Sequence, residues 1–223
     1  MRQIPLPLGA GPSRSFGNFM PGANAPALAH LMALTAGTAP VYLWGAASCG
    51  KTHLLQAVVQ RFHSLGLRTA SFSATDPAPW VHNDDWALIV LDDCDRFDAD
   101  QQHAAFALFV QAATQRVAMV AAGRVPPVDL PLREDLRTRL GWGHVFALQP
   151  LNEAEMRAAL RREADHRCVF LSDEVMDHLL TRFARDLKHL MALLDRLDEF
   201  SRATKRAITV PLLKQMLVEE PER

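Results

Sequence analysis

The sequence has few cysteines, no long apolar run and no surplus of either charge. Its three cysteines, Cys49, Cys94 and Cys168, are an odd number without metal-ligand spacing, which favours reduced thiols over a disulfide framework or a zinc site. No signal peptide or membrane-spanning stretch is evident, so we expect a cytoplasmic protein without a membrane partner. Lys and Arg number 24 against 25 for Asp and Glu, and any contact with DNA would therefore need a local patch.

The pattern of apolar residues divides the chain into three parts. Residues 1–15 are rich in Pro and Gly and lack periodicity, which predicts a flexible tail. Residues 16–150 alternate strand-like and helical patterns, and this alternation predicts an α/β fold with a parallel sheet. Residues 151–223 show helical patterns only and are predicted to form a small all-helical domain. The predicted strands are 41–44, 68–73, 86–91, 117–122 and 145–148. The predicted helices are 28–34, 53–65, 101–115, 153–166, 172–183, 187–204 and 211–219.

A glycine-rich segment after the first predicted strand spells a phosphate-binding loop. It reads Gly45-Ala46-Ala47-Ser48-Cys49-Gly50-Lys51-Thr52. Successive backbone N–H groups of such a loop point at phosphate oxygens, and the helix that follows adds the positive end of its dipole. Lys51 is placed to reach the β- and γ-phosphates and Thr52 to ligate Mg²⁺, so the segment predicts a nucleotide site.

Two aspartates end the third predicted strand, downstream of the loop lysine. An Asp-Asp turn alone is more often a solvated strand end, but the phosphate loop upstream favours a role in nucleotide chemistry. Asp92 is placed to hold Mg²⁺, directly or through water. Asp93 is placed to orient or deprotonate an attacking water.

Four segments together resemble the AAA+ module of the bacterial replication initiator DnaA. They are the phosphate loop, Val90-Leu91-Asp92-Asp93, Pro126-Pro127 and Arg137-Thr138-Arg139-Leu140-Gly141-Trp142-Gly143. The Arg-Leu/Phe-x-Trp-Gly element is fairly specific to that branch. The resemblance covers about residues 16–219. It implies an AAA+ P-loop base domain with a parallel sheet, followed by a helical lid, and ADP or ATP with Mg²⁺ as the ligand. It also implies the initiator's AAA+ module without its helix-turn-helix domain.

The resemblance also implies roles for individual residues. Arg139 matches an arginine finger that acts in trans on the γ-phosphate of a neighbouring subunit, with Arg137 as the competing candidate. The usual fate of a lone arginine is a surface salt bridge, so the finger role depends on the resemblance. Phe19, in Ser15-Phe16-Gly17-Asn18-Phe19, matches an entry segment that packs near the adenine.

Two positions depart from the pattern of the family. Where a polar sensor usually follows the fourth strand, this sequence has Ala121-Ala122-Gly123-Arg124, and whether Arg124 replaces the sensor is open. The second sensor, usually Arg, aligns best with Lys188, and Arg185 is the alternative. We therefore expect weak intrinsic ATPase activity.

The tail residues Gln3-Ile4-Pro5-Leu6-Pro7-Leu8 resemble the peptide that docks onto the DNA polymerase III sliding clamp, the beta subunit. Gln3 and the aliphatic side chains of Ile4, Leu6 and Leu8 suit an apolar groove, and the prolines reduce the entropy lost on binding. A clamp peptide joined to a DnaA-like module is typical of the Hda family, which inactivates DnaA.

This combination implies a negative regulator of replication initiation with DnaA and the clamp as partners. DNA would be reached indirectly through the clamp, which would associate the protein with the nucleoid. Homo-oligomers are compatible with the same residues. The alternatives are a self-contained ATPase or helicase-loader-like remodelling factor, and an adaptor that binds DNA weakly.

The remaining polar and aromatic residues give no second site. The nine histidines lack a metal pattern. Trp44, Trp86 and Trp142 lie near the ends of predicted strands and are predicted to be mostly core residues.

Overall fold

The computed structural model describes residues 14–183 and 186–219. The chain divides into two compact units between Pro150 and Leu151. We call the first unit the base and the second the lid.

Five parallel strands form the centre of the base. They are β1 (Val41–Trp44), β2 (Arg68–Ser73), β3 (Trp86–Asp92), β4 (Ala118–Gly123) and β5 (His144–Ala147). Their order in the sheet is β2-β3-β4-β1-β5, and each pairs with its neighbour in parallel. The prediction of an α/β fold with a parallel sheet is confirmed. Since parallel strands end at the same edge, the loops after β1, β3 and β4 meet there.

The sheet is covered on both faces, which explains the continuous apolar runs of its central strands. Successive residues of β3 alternate between two cores: Leu88 and Val90 face one, and Ile89 and Leu91 face the other. Four helices of the base also contribute to these cores. They are α1 (Ala25–Met32), α2 (Lys51–Ser64), α3 (Ala99–Gln115) and α4 (Glu134–Gly141). The first two pack on one face and the last two on the other.

The helix α4 was missing from the sequence prediction. It has eight residues, and only Leu136 and Leu140 are buried within it. Two apolar residues four apart are too few to establish a helical period. By contrast, α3 was predicted, although it begins at Ala99, two residues before the predicted start. Its N-cap Asp98 accepts the Gln101 N–H, and the Gln101 side chain accepts the Asp98 N–H.

The lid contains the helices α5 (Glu153–His166), α6 (Asp173–Arg182), α7 (Leu187–Thr204) and α8 (Val210–Glu219). Their buried leucines, methionines and Phe200 form one core. A capping box of Asn152 and Glu155 begins α5. None of the helices in the described part of the chain is both long enough and apolar enough to cross a membrane.

Candidate nucleotide site and outer arginine

The phosphate loop lies at the carboxyl end of β1, between the strand and α2. Gly45 and Gly50 have φ angles of 152° and 99°, in the range that favours glycine. A Cβ at Gly45 would lie 2.5 Å from the Leu148 carbonyl oxygen, and one at Gly50 would lie 2.8 Å from the Phe19 ring. Both glycines are therefore required by close approach as well as by backbone conformation. Ser48, with φ of 61°, gives the loop a third left-handed residue.

Lys51, the first residue of α2, is buried beneath the loop. Its Nζ donates to the carbonyl oxygens of Gly45 and Ala46, each at 2.7 Å. The Cys49 Sγ lies 3.7 Å from the same nitrogen, and Cys49 is itself buried. These contacts hold the ammonium group against the backbone that forms the phosphate loop.

Thr52 and Asp92 are in direct contact although they come from different elements. The Thr52 Oγ1 donates to the Asp92 Oδ2 at 2.7 Å, and the Asp93 N–H donates to the Asp92 Oδ1 at 2.9 Å. Burial raises the pKa of Asp92 above its ordinary value of 3.8, and the hydrogen bonds from Thr52 and Asp93 and the charge of Lys51 oppose that rise. The structure thus brings together the two residues that the sequence assigned to Mg²⁺.

The donor set of this edge fits a nucleotide with Mg²⁺. A hydroxyl and a carboxylate are oxygen ligands of the kind that Mg²⁺ prefers, and Thr52 and Asp92 supply one each. The N-terminus of α2 directs backbone N–H groups into the loop. Asp93 has a left-handed backbone, with φ of 53°, and its half-buried carboxyl follows the carboxylate of Asp92 at the same strand end.

The entry segment, residues 15–19, packs against the first turns of α2. The Phe19 ring lies against Gly50 and meets the His53 ring edge-on, with centroids 5.3 Å apart. A ring nitrogen of His53 lies 3.0 Å from the Ser15 carbonyl oxygen. Phe19 is buried, so its ring supports the loop from beneath. Its contact with a base stays a prediction.

At the end of β4 the Tyr42 hydroxyl fills the space that a side chain at position 123 would enter. A Cβ at Gly123 would lie 2.2 Å from the Tyr42 Oη. That hydroxyl donates to the Val125 carbonyl oxygen at 3.0 Å, and burial raises the pKa of Tyr42 well above its ordinary value. The Arg124 N–H donates to the Asp95 Oδ1 at 3.0 Å. Sequence reasoning missed Tyr42, although its place as the single tyrosine, within an apolar strand, was a signal.

Arg139, which we call the outer arginine, lies in the last turn of α4. Leu136 and Leu140 anchor the helix in the core, and Arg139 is half-buried on its flank. The Arg139 Cζ lies 5.9 Å from the centre of the Trp142 ring, within the range of a cation–π contact. The Trp142 side chain is 69% exposed, so the prediction that it is a core residue is wrong. A Cβ at Gly143 would lie 1.9 Å from the Pro40 carbonyl oxygen, and this contact fixes the turn after Trp142 against the sheet.

The other predicted site residues lie elsewhere or outside the described residues. Lys188 is exposed in the first turn of α7, where its N–H donates to the Asp186 Oδ1 at 2.9 Å. Arg137 is half-buried on α4. The predicted second-sensor alternative and the predicted clamp peptide fall outside the described residues. They are Arg185, Gln3, Ile4, Leu6 and Leu8.

Comparison with known proteins agrees with this geometry. Residues 153–217 match the family model described as Hda, lid domain. Domain III of the replication initiation protein DnaA from Thermotoga maritima is 17% identical over 96% of this chain and 100% of that one, with a TM-score of 0.80. AMPPCP-bound DnaA from Aquifex aeolicus is 19% identical over 88% of this chain and 68% of that one, with a TM-score of 0.70. The RuvB Holliday junction branch migration motor of Thermotoga maritima is 16% identical over 86% of this chain and 64% of that one, with a TM-score of 0.62.

The structural matches show that the base and the lid have the fold of domain III of DnaA. The family match adds the identity of the lid, over nearly all of its described length. The lid therefore matches the Hda lid domain in sequence, and the chain has the fold of domain III of DnaA.

Proposed function

We propose that this protein is a negative regulator of replication initiation, which binds ADP or ATP with Mg²⁺ and stimulates hydrolysis of the ATP held by DnaA. Arg139 acts in trans as the arginine finger, and the tail docks on the sliding clamp. The observation that carries the proposal is the position of Arg139. It lies at the end of α4 beside an exposed tryptophan, and it forms no ion pair with any residue of 14–183 or 186–219.

The nucleotide part of the proposal is supported by the loop geometry. Backbone N–H groups of residues 45–52, the ammonium group of Lys51 and the Thr52–Asp92 pair supply an anion site beside a cation site. DnaA from Aquifex aeolicus has been solved with AMPPCP, a nucleotide analogue. When bound, Mg²⁺ neutralises charge on the phosphates. Lys188 or Arg185 of the lid is proposed to contact the phosphates.

The finger part follows from the chemistry of guanidinium. Arginine is always charged, and its planar fork matches the oxygens of a phosphoryl group in transfer. A finger supplied by a neighbouring chain raises the rate of hydrolysis by a factor of about a thousand or more in comparable systems. A contact that delivers a finger to a neighbour's nucleotide is head-to-tail, so it joins unlike surfaces of two AAA+ modules.

The clamp part depends on the sequence of the tail. Gln3, Ile4, Leu6 and Leu8 would enter an apolar groove of the clamp, which would restrict the activity to DNA-loaded clamps and hence to replicated DNA. Conversion of DnaA from its ATP to its ADP form would then limit re-initiation.

A second candidate function is a self-contained ATPase that remodels a partner through its own hydrolysis cycle. The contact between Thr52 and Asp92, with Asp93 next to them, favours this alternative because it retains the groups that hydrolysis needs. The absence of a side chain at Gly123 weighs against it, since the Tyr42 hydroxyl that fills this space is already bound to a carbonyl.

The first experiment follows radiolabelled ATP preloaded on DnaA, with and without DNA-loaded clamp. We expect this protein to accelerate hydrolysis only with the clamp, and Arg139→Ala to lower the stimulated rate by about a thousandfold, to the rate of DnaA alone. Arg137→Ala, on the same helix, tests the competing candidate for the finger and should leave the stimulated rate unchanged. Arg68→Ala is the control, since the Arg68 side chain is 70% exposed on β2, away from α4.

The tail is tested by replacing Gln3, Leu6 and Leu8 with Ala together. This variant should lose clamp retention and clamp-dependent stimulation while its affinity for ADP is unchanged. If Arg139→Ala has no effect and the protein alone turns over ATP at a steady rate, the trans-acting regulator is wrong and the self-contained ATPase is favoured.

A further inference from the structure

The flank of α4 that carries Arg139 also carries an unusual aromatic residue. Trp142 is the residue that ends the helix, and its backbone is still helical, with φ of -74° and ψ of -28°. A tryptophan with 69% of its side chain exposed forgoes most of the stabilisation that burial of its ring would give. Its exposure therefore needs a reason other than packing within the base.

Helical geometry associates Trp142 with Arg139 and separates it from Arg137. Successive residues of a helix are rotated by about 100°, so the two arginines project from opposite flanks of α4. Residues three apart are neighbours on the surface of a helix, which places Trp142 over Arg139. The guanidinium carbon lies 5.9 Å from the centre of the indole ring. A concavity of about 830 Å³ is lined by Arg139 and Trp142 but not by Arg137. Two carboxylates, Glu134 and Asp135, also line it, and neither forms an ion pair with Arg139.

The turn that holds Trp142 is fixed on both sides. The Trp142 N–H donates to the Arg139 carbonyl oxygen at 3.3 Å. After Trp142, the Gly143 backbone lies so close to the Pro40 carbonyl oxygen that no side chain fits there, and the His144 N–H donates to the same oxygen at 2.8 Å. Trp142 therefore belongs to a turn that is fixed by these contacts at the start of β5, rather than to a free loop.

We propose that Trp142 is a positioning residue for Arg139. Its ring supports the guanidinium through a cation–π contact and restricts the arginine to rotamers that project outward from α4. The electron-rich face of an indole attracts a cation without accepting its hydrogen bonds. The N–H donors of Arg139 therefore stay available for the γ-phosphate of a neighbouring subunit, whereas a carboxylate partner would occupy them. The inference rests on the proposed function, and it explains how a flexible side chain is held ready without an ion pair.

The test uses the full-length protein with clamp and preloaded DnaA, and it measures the stimulated rate over a range of concentrations of this protein. Trp142→Ala should lower the maximal rate by about five- to thirtyfold, with the half-saturating concentration changed less than twofold. Trp142→Leu, which keeps apolar bulk but has no ring face, should resemble Trp142→Ala. Trp142→Phe and Trp142→Tyr should recover most of the rate.

Two controls separate positioning from misfolding. Each Trp142 variant should bind ADP with the affinity of the unsubstituted protein. Phe170→Ala removes another exposed aromatic, in the lid, and should leave the stimulated rate unchanged. In the background of Arg139→Ala, the additional change Trp142→Ala should cause no further loss, because a support has no effect once its arginine is gone.

The outcomes distinguish this inference from the proposal on which it depends. If Arg139→Ala leaves stimulation intact, the finger itself is wrong and the inference fails with it. If Arg139→Ala abolishes stimulation, three results would each overturn the role of Trp142 alone. They are full activity of Trp142→Leu, a raised half-saturating concentration with an unchanged maximal rate, or an additional loss in the double variant.

Discussion

The base contains the nucleotide site and a second feature, the end of α4 with Arg139 and Trp142, which we call the outer edge. The two use their charged groups in opposite ways. At the nucleotide site, Lys51, Thr52 and Asp92 bond to the loop backbone or to one another. At the outer edge, Arg139 forms no ion pair among the described residues and lies beside an exposed tryptophan. The groups of the first site are ordered by the protein's own contacts, whereas those of the second project from the end of α4. This difference agrees with the proposed function, in which the phosphate loop binds the protein's own nucleotide and Arg139 acts on another molecule.

The largest effect is expected from a change in the turn that carries Trp142. Gly143→Ala would place a Cβ 1.9 Å from the Pro40 carbonyl oxygen, and this backbone atom cannot move without displacing β1 or β5. We expect the free energy of unfolding to fall by about 3 kcal/mol or more. Chemical denaturation followed by circular dichroism measures this change. Gly17→Ala is the control, since its Cβ would meet only the Ser15 Oγ at 3.7 Å. Equal stability of the two variants would show that the turn is not fixed as described.

The next largest effect is expected from a change that disrupts the nucleotide site and leaves the outer edge intact. Lys51→Ala removes the charge that we propose contacts phosphate, and we expect the affinity for ADP to fall on the order of a hundredfold. Titration with a fluorescent ADP analogue measures the loss. Lys214→Ala, at an exposed position of α8, is the matched control. An affinity for ADP that is unchanged by Lys51→Ala would show that the nucleotide does not bind at the phosphate loop.

The smallest effect is expected from a change that removes one titratable group at the nucleotide site. Asp92→Asn keeps an acceptor for the Thr52 hydroxyl but removes a carboxyl whose pKa is raised in the folded protein by burial. Because the folded state holds the Asp92 proton more tightly than the unfolded state, the wild type loses stability as the pH rises from the ordinary pKa of 3.8 through the raised pKa. The variant does not titrate there.

The free energy of unfolding of Asp92→Asn, relative to the wild type and without nucleotide, should therefore increase across that window and then level off. We expect an effect of below about 1 kcal/mol, within the usual range for single substitutions. Thermal unfolding from pH 4 to pH 8 gives the difference curve. A difference that shrinks with rising pH would contradict the raised pKa.

The strongly periodic and sequence-local features could be predicted from the sequence. The apolar runs of β3 and β4 and the lid helices α5 and α7 were found because each repeats its pattern over many residues. The phosphate loop was found because its glycines are needed by the local backbone. Helix α4 was missed because it is short, and the exposure of Trp142 was predicted wrongly because aromatic residues near strand ends are usually buried.

The sequence by itself determined the fold class and the residues of the phosphate loop, since both depend on patterns and backbone conformations within short stretches of chain. Only the tertiary structure decided which distant groups meet. The contact of Thr52 with Asp92 joins a helix and a strand 40 residues apart. The Tyr42 hydroxyl beside Gly123 joins two neighbouring strands, and the closeness of Gly143 to Pro40 fixes the turn that carries Trp142. These contacts depend on the order of strands in the sheet, and strand order arises from packing of the whole base rather than from any one segment.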